Sequence, residues 1–494
     1  MLKLQLCDTL KITKGDDFMF DYVVVGGGVV GTAILNKLTR LGKKTALVEI
    51  QNDVGFGASR ANSALIHSGI DCKVGTLKAK LNVRGSELFE GLCERLEVPY
   101  KRCGHIIAGN DKEKLDDLMG RAKNNGVQGC KLITDKELKE IEPNINDDIT
   151  MAIFAPSGAI ISSYELAVAF AEESVVNGAE VFLEFDTKKI VKTKNNGFTL
   201  ISKDGRSIKA LNIINACGAG VNHINKLLKA EEYDLEFRRG EYFILDKQEN
   251  GYVNHPVFPL PTEKSKGILV TPTIHGNILV GPTSVASSLS TKTTKEGLNK
   301  IKQDAIKNFK TIPFNKNIRV FSGVRVLCGE DFVIEKSKKV NGLITLAGIC
   351  SPGLSACPAI AEYVAGLLDL DPNAEIQNLK LRPQKIVLNE LTLEEQNQII
   401  NKNPDYGKVV CKCENISLGE IKDAINSVVP AKSVDAVKRR TRAGMGRCQG
   451  GFCIFEVMEQ LKEQDGNKSW LNVKKDGVNS NILVTQIKPT KKGK

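Results

Sequence analysis

The sequence predicts an α/β chain built in parts. Three observations predict it: a glycine-rich turn between strand and helix signals near the N-terminus, a central block of alternating β-type sequence, and four cysteines in two tight pairs near the C-terminus. A chain of 494 residues has room for about three domains, each able to bury its own core. Forty-four glycines fit a fold with many tight turns.

The first element is the segment DYVVVGGGVVGTAILNKLTRLGKKTALVEI. It reads as a strand over Tyr22 to Val25, a turn, a helix ending near Gly42, and a second strand over Thr45 to Ile50. Gly26, Gly28 and Gly31 give G-x-G-x-x-G: the first permits the turn, the second lets backbone N–H groups approach a pyrophosphate, and the third lets helix and strand pack closely. The positive end of the helix then faces phosphate. Glu49 closes the second strand 18 residues after Gly31, where it can accept from a ribose, which favours FAD or NAD over NADP. This is a Rossmann-like unit. The next stretch, GFGASRANSALIHSGI, is rich in small and hydroxyl residues that suit a loop passing close to a ligand.

Gly26 to Glu49, followed by Ser59, Asn62 and His67, resembles the FAD-dependent oxidoreductases of the D-amino-acid oxidase and glycerol-3-phosphate dehydrogenase superfamily. KVGTLKAKLNVRG and PYKRCGHIIAG are further similar to the L-2-hydroxyglutarate dehydrogenase branch. The resemblance implies bound FAD and a discontinuous FAD-binding domain over 19–105, 150–228 and 336–372. A substrate domain with a mixed or antiparallel sheet is expected over 106–149 and 229–335. It also implies cofactor contacts from Ser59 and Asn62, and from Gly218 at the end of LNIINACGAGVNHI. Gly348, Gly353 and Leu354 in GLITLAGICSPGLSACPAIAEYVAGLL join them, where the last helix begins beneath the flavin. Positive charge at that helix end would stabilise reduced, anionic flavin. A core helix with a flexible entry is the alternative reading.

The central strands are expected in LEFRRGEYFILDK, GILVTPTIHGNILVGPTS and IRVFSGVRVLCGEDFVIE, with a helix over Thr294 to Phe309 between the last two. FSGVRVLCGEDF is similar to the glycerol-3-phosphate dehydrogenase segment whose arginine holds the anionic end of the substrate, which assigns that role to Arg325; a structural salt bridge is the alternative. The aerobic enzymes carry another arginine a little downstream. This chain has GEDFVIE there, closer to the hydroxyglutarate branch, so phosphate and carboxylate both remain open. Oxidation of a secondary alcohol sends hydride to flavin N5 and needs a base for the hydroxyl proton. Of five histidines, His67 is the first candidate and His275 the second, while His105, His223 and His255 read as structural.

A polar connector with one short helix is expected over 373–405, a separate module over 406–465 and a basic tail over 466–494. The module carries Cys411-x-Cys413, 34 intervening residues, then Cys448-x4-Cys453. Cys-x-Cys is too tight for the usual zinc knuckle, whereas a larger iron–sulfide object takes ligands in pairs. Gly446, Gly450 and Gly451 would let amide N–H groups point at sulfur. The pattern resembles the bacterioferritin-associated ferredoxin-like [2Fe–2S] domain appended to anaerobic glycerol-3-phosphate dehydrogenase large subunits.

The expected function is oxidation of sn-glycerol 3-phosphate to dihydroxyacetone phosphate, with electrons leaving through the [2Fe–2S] cluster. The partners are a small anionic substrate and an electron-accepting protein or subunit, with no specific nucleic acid. Alternatives are oxidation of L-2-hydroxyglutarate or another 2-hydroxy acid, and oxidation of an amine or amino acid. An alternative of another class is a nucleic-acid-binding protein with a C-terminal zinc site and a grip of Arg439, Arg440, Arg442 and Arg447.

The net charge of +11 is spread along the chain, with small concentrations at VKRRTRAGMGR and KPTKKGK. A diffuse excess reads as solvated surface. For the arginine cluster, attraction to an anionic substrate, partner or lipid stays open. No apolar run approaches the roughly 18 residues of a membrane span. The N-terminal segment carries Asp8, Asp16 and Asp17 and lacks a secretory core, so a cytoplasmic location is expected, with peripheral membrane contact left open. Thirteen cysteines without a secretion signal read as reduced thiols or ligands.

Overall fold

The computed structural model describes residues 19–193, 196–247, 251–261, 267–464 and 469–483. The FDYVVV run forms β1 (Phe20–Val25), α1 spans Val29–Arg40 and β2 spans Thr45–Val48. Val23 and Val24 are fully buried because β1 lies between parallel neighbours, Thr45–Val48 on one side and Ser207–Asn215 on the other. A strand covered on both faces reads as a near-continuous apolar run. This eight-stranded sheet also holds Leu343–Ala347, parallel to Ser207–Asn215, and antiparallel strands at its edge. Helices Ser163–Val176 and Gly353–Leu367 pack on α1, and their alanine-rich faces join one core with Val24, Ile34 and Leu47.

Among the described residues the second sheet has nine strands, mixed but mainly antiparallel. Its longest pairing runs from Glu236↔Leu327 to Leu245↔Asn317 and carries Arg325 opposite Arg238. The helix expected between the last two central segments is Lys295–Ala305, started by the Thr294 side chain accepting from the Gly297 amide.

Two strands fall on the other sheet from the one their boundaries implied. Met151–Ala155, expected within the 150–228 FAD-binding segment, pairs with His105–Ala108 and Lys131–Thr134 in the nine-stranded sheet. Val333–Lys336, expected on the substrate side, pairs with Leu343–Ala347 in the first. Alternation reports that a strand has one buried face; only the partner decides which sheet it joins. The chain leaves the long strand at Leu327 and turns through Gly329, whose φ of 63° suits glycine.

The connector lies on helix Ser163–Val176 through Arg382–Glu172 and Lys385–Glu165 ion pairs. The C-terminal module has a short hairpin and three helices, Leu418–Ile425, Val434–Thr441 and Ile454–Gln464, closed around Ile421, Val437, Val457 and Leu461. The expected basic tail is in part a packed element. Val473 is buried, the Trp470 ring lies 5.2 Å from Phe455, and the Val434 amide donates to the Lys474 carbonyl at 3.0 Å. Trp470, Val473 and Ile482 are apolar anchors spaced too irregularly for a periodic signal. Residues 484–494 lie outside the described residues. Among the described residues no helix is long and apolar enough to cross a membrane.

Candidate active site and cluster site

The glycine turn is a cradle that side chains would fill. A Cβ on Gly26 would sit 2.6 Å from the Ala216 carbonyl oxygen, and one on Gly31 would meet the Gly26 oxygen at 2.0 Å. Gly28 precedes α1, whose Val29 amide donates to Ser59 Oγ at 2.9 Å. Glu49 is buried beneath the turn and accepts from the Gly27 amide at 2.6 Å and the Gln51 amide at 2.9 Å. Burial pushes its carboxyl up, against these hydrogen bonds.

A cavity of about 1470 Å³ opens between the two sheets, larger than the roughly 300–1,000 Å³ of an ordinary ligand pocket. Gly26, Gly28, Glu49 and Ser59 line one end, while Gly218, Gly353 and Leu354 line the wall formed by the first sheet and the last helix. These features fit an extended dinucleotide with its diphosphate at the start of α1. Asn62 lines the cavity too, but its amide is spent locally: Nδ2 donates to the Ala58 and Ser59 carbonyls and to Ser163 Oγ, and Oδ1 accepts from Ala64. Gly31 and Gly348 do not line it. Gly348, expected at the cofactor, sits against Cys328, where a Cβ would come within 2.6 Å of the Cys328 Cβ. Its φ of 66° serves that close approach.

His67 lies where helix Gly353–Leu367 meets the nine-stranded sheet. Its backbone amide donates to Ser355 Oγ at 2.7 Å, its Nε2 is 3.4 Å from Ser351 Oγ, and its ring packs near Phe258 at 5.8 Å. Arg325 donates from Nη2 to the Thr283 carbonyl at 2.8 Å and faces the same cavity. Tyr242 stacks on Phe321 at 4.7 Å, and its hydroxyl is 3.2 Å from Ser63 Oγ. Burial pushes the Tyr242 hydroxyl up, and the Arg325 guanidinium opposes it. The sequence reading missed Tyr242; a tyrosine in an apolar strand gives no signal that distinguishes it from core.

His275 keeps different company from His67. Its Nε2 lies 3.2 Å from Glu165 Oε1, and Lys385 binds the other oxygen of Glu165 at 2.9 Å. Burial lowers the His275 pKa, and neighbouring Arg442 adds to this. The ring is therefore held at the seam with the C-terminal module. His255 is likewise bound to Glu142, and His223 to the Thr187 carbonyl.

The four module cysteines meet as two pairs, Cys411 with Cys453 and Cys413 with Cys448. The Cys453 thiol and amides that include Gly444 hold Cys411 down at about 6, while the same contact pushes Cys453 up. Amides of Gly450, Gly451 and Phe452 point at the Cys448 sulfur. Gly446 works differently from expectation: it supplies space, since a Cβ there would lie 2.4 Å from the Cys413 Cβ. Among the described residues no three His, Cys, Asp or Glu side chains converge for a single ion. Two thiol pairs with amide donors fit a two-iron cluster. The loop bearing Cys448 also reaches the large cavity: Met445 and Gln449 line it, and the Tyr164 hydroxyl meets Met445 Sδ at 3.6 Å.

The arginines of the cluster are engaged within the chain. Arg439 and Arg440 are buried on Asp53, Arg442 binds Glu414 at 2.8 Å, and Arg447 binds Asp246 at 2.7 Å. Sequence reading does not reveal Asp53, because its partners lie more than 380 positions away.

Residues 21–367 match the FAD dependent oxidoreductase family, and residues 409–463 match the BFD-like [2Fe-2S] binding domain. The chain belongs to the FAD-dependent oxidoreductases. It is 39% identical over 480 residues to a glycerol 3-phosphate dehydrogenase of Caloramator mitchellensis, covering 95% of this chain and 99% of that one. It is 30% identical over 363 residues to a glycerol 3-phosphate oxidase of Mycoplasma genitalium, covering 71% of this chain and 94% of the relative. A solved L-alpha-glycerophosphate oxidase from Mycoplasma pneumoniae with FAD bound superposes with a TM-score of 0.69 at 27% identity, over 73% of this chain and 97% of that one. This FAD-dependent oxidoreductase therefore combines a flavoenzyme body with a cluster-binding module on one chain.

Proposed function

We propose that the enzyme oxidises sn-glycerol 3-phosphate to dihydroxyacetone phosphate and passes the electrons through its [2Fe–2S] cluster to a separate protein or subunit. The observation that carries the reading is Arg325: a guanidinium that faces the cavity and spends one donor on a backbone carbonyl, leaving its charge for an anion. FAD, when bound, supplies the hydride acceptor. Arg325 would hold the substrate's anionic end, and His67 would take the hydroxyl proton on Nε2 as the carbinol C–H leaves with its electron pair. Ser351 and Ser355 hold the His67 ring and backbone in place.

The relatives named glycerol 3-phosphate dehydrogenase and oxidase support the phosphate. A 2-hydroxy acid is the second reading. It is favoured by the segment after Arg325, which carries no second arginine: Glu330 there pairs with Lys73, and Asp331 accepts from the Leu77 and Lys78 amides at the start of a helix. The enzyme is proposed to work in the cytoplasm.

The test is the visible spectrum of anaerobically purified, cofactor-loaded protein before and after each candidate donor. Bleaching of the flavin by glycerol 3-phosphate, with cluster reduction following, is the expected result. Bleaching by L-2-hydroxyglutarate alone, or by sarcosine, proline or glycine alone, would replace the substrate and leave the cofactors.

A further inference from the structure

The large cavity contains cations that the reaction above does not use. At the seam between the nine-stranded sheet and the cluster module, it is lined by Lys292, Arg319, Asp435, Lys438 and Gln449. We propose that Lys438 and Arg319 form a second phosphate-binding site, separate from Arg325, suited to a phosphate monoester dianion.

The separation follows from strand geometry. Arg319 and Arg325 lie six positions apart on Asn317–Leu327, on the same face, which places them about 20 Å from one another along the strand. Arg319 opposes Ile244, at the end of the pairing remote from Arg238. One small anion cannot bridge both.

The seam carries an excess of positive charge, with Asp435 as the carboxylate that acts on Lys438. Arg319 donates from Nη1 to Gln449 Oε1 at 3.2 Å, a neutral acceptor. Lys438 sits on helix Val434–Thr441, but unlike Arg439 and Arg440 it does not turn to Asp53. Its Nζ has no carboxylate within salt-bridge distance among the described residues. Asp435, one turn earlier, is bound to Lys475 at 2.5 Å. Lys438 is largely removed from water, and its ammonium is held down at about 8 by burial first and then by Arg319. An ammonium that is desolvated beside a guanidinium is stabilised by an anion placed between them. Lys292, exposed on the loop across the seam, adds a third positive group.

Two sources share this chemistry: the phosphate of a substrate or product crossing the cavity, and the diphosphate of the dinucleotide. The experiment separates them. Inorganic phosphate is titrated calorimetrically into the full chain loaded with FAD and cluster, in an Arg325→Gln background that silences the first site. The expected result is that binding persists in this background and weakens at least tenfold with either Lys438→Met or Arg319→Gln. Lys438→Arg should restore it. Arg319 is exposed, so its variant reports even if the Lys438 change disturbs packing. Retained FAD is measured on each variant by fluorescence after desalting. Unchanged phosphate isotherms in both variants would overturn the site. Release of FAD from Lys438→Met without a change in the isotherm would assign the ammonium to the dinucleotide and overturn a separate site. No turnover is needed, so the outcome does not depend on which alcohol the enzyme oxidises.

Discussion

Arg440 grips Asp53 through both oxygens, Nη1 to Oδ2 at 2.9 Å and Nη2 to Oδ1 at 2.8 Å, joining residues 387 positions apart in the chain. Asp53 lies just beyond β2 and is fully buried, and Arg439 shares its Oδ2 at 3.0 Å. The same contact reaches the loop that holds the start of α1. The Arg60 and Arg439 guanidiniums lie 4.2 and 4.8 Å from the centre of the Phe56 ring, and Asp476 of the C-terminal segment binds both arginines. Ser59, three residues past Phe56, is the partner of the Val29 amide. The cluster module is thus clamped to the dinucleotide end of the flavoenzyme body.

Breaking the clamp leaves a buried charge without its partner, which typically costs about 3–5 kcal/mol. Asp53→Ala should therefore undock the module and lower retention of FAD. Limited proteolysis is expected to cut the connector after residue 373, which is otherwise tied down by Arg382–Glu172 and Lys385–Glu165. A variant with wild-type denaturation midpoint and proteolytic pattern would show that Asp53 contributes nothing.

The clamp also sets an acid limit. Burial raises the Asp53 carboxyl, but Arg440 and then Arg439 more than offset this and hold it below its ordinary value of 3.8. A carboxylate depressed in the folded state contributes stability that is present above the unfolded pKa and lost as pH falls through the folded one. Module docking should hold above pH 4 and fail as pH drops further below 3.8. Asp53→Asn should flatten that limb of an acid titration followed by Trp470 fluorescence, since the module contains the only tryptophan. An unchanged limb would place the acid-labile contact elsewhere.

The parts legible in the sequence are those whose physics is local. G-x-G-x-x-G, its flanking strands and Glu49 lie within one βαβ unit, and the paired cysteines sit in two short loops. Long-range pairing was not legible. Met151–Ala155 and Val333–Lys336 have the pattern of strands, yet nothing in them names the sheet. The arginine run VKRRTR reads in the sequence as charge open to an anionic partner, because its own carboxylates, Asp53, Asp476 and Glu414, are scattered through the chain. The sequence ranks His67 before His275 on the loop resemblance alone, and the Glu165 partner of His275 emerges only in three dimensions.

Arg325 should be the anion anchor for turnover. Removing a guanidinium that faces a desolvated anion costs about 2–4 kcal/mol, which is roughly a 30- to 700-fold loss in kcat/KM. Arg325→Gln should show that loss with glycerol 3-phosphate. Arg325→Lys should recover only part of it, because an ammonium cannot reproduce the planar fork. Equal activity of all three proteins would remove Arg325 from substrate binding.

His67 and His275 give opposite expectations. His67→Gln should lower kcat by about 10²- to 10⁴-fold, the usual reach of a general base, while flavin binding remains. His275→Gln should leave kcat within a few-fold and instead weaken the seam, because it removes a partner of buried Glu165. Anaerobic single-turnover reduction of the flavin separates the two, since it reads the chemical step alone. If His275→Gln abolished reduction and His67→Gln did not, the roles would be exchanged.

The cysteine pairs make the last prediction. Cys411 and Cys453 are buried while Cys413 is exposed, so one edge of the cluster would meet solvent and the other the module core. Cys413→Ser and Cys448→Ser should each abolish the iron–sulfur absorption and lower bound iron and sulfide from two of each per chain. Substrate should still bleach the flavin, because the cavity lining that includes Arg325 and His67 includes neither cysteine. Reoxidation by a one-electron acceptor should slow sharply, as the loop from Met445 to Gln449 brings the Cys448 end of the module to the cavity. Cys130→Ser, outside the module, is the control and should change none of these readings. Stoichiometric zinc in place of iron, after anaerobic reconstitution with iron and sulfide, would refute the cluster. Normal reoxidation in a cluster-free variant would instead confine the module to a structural role, clamped on Asp53 but outside the electron path.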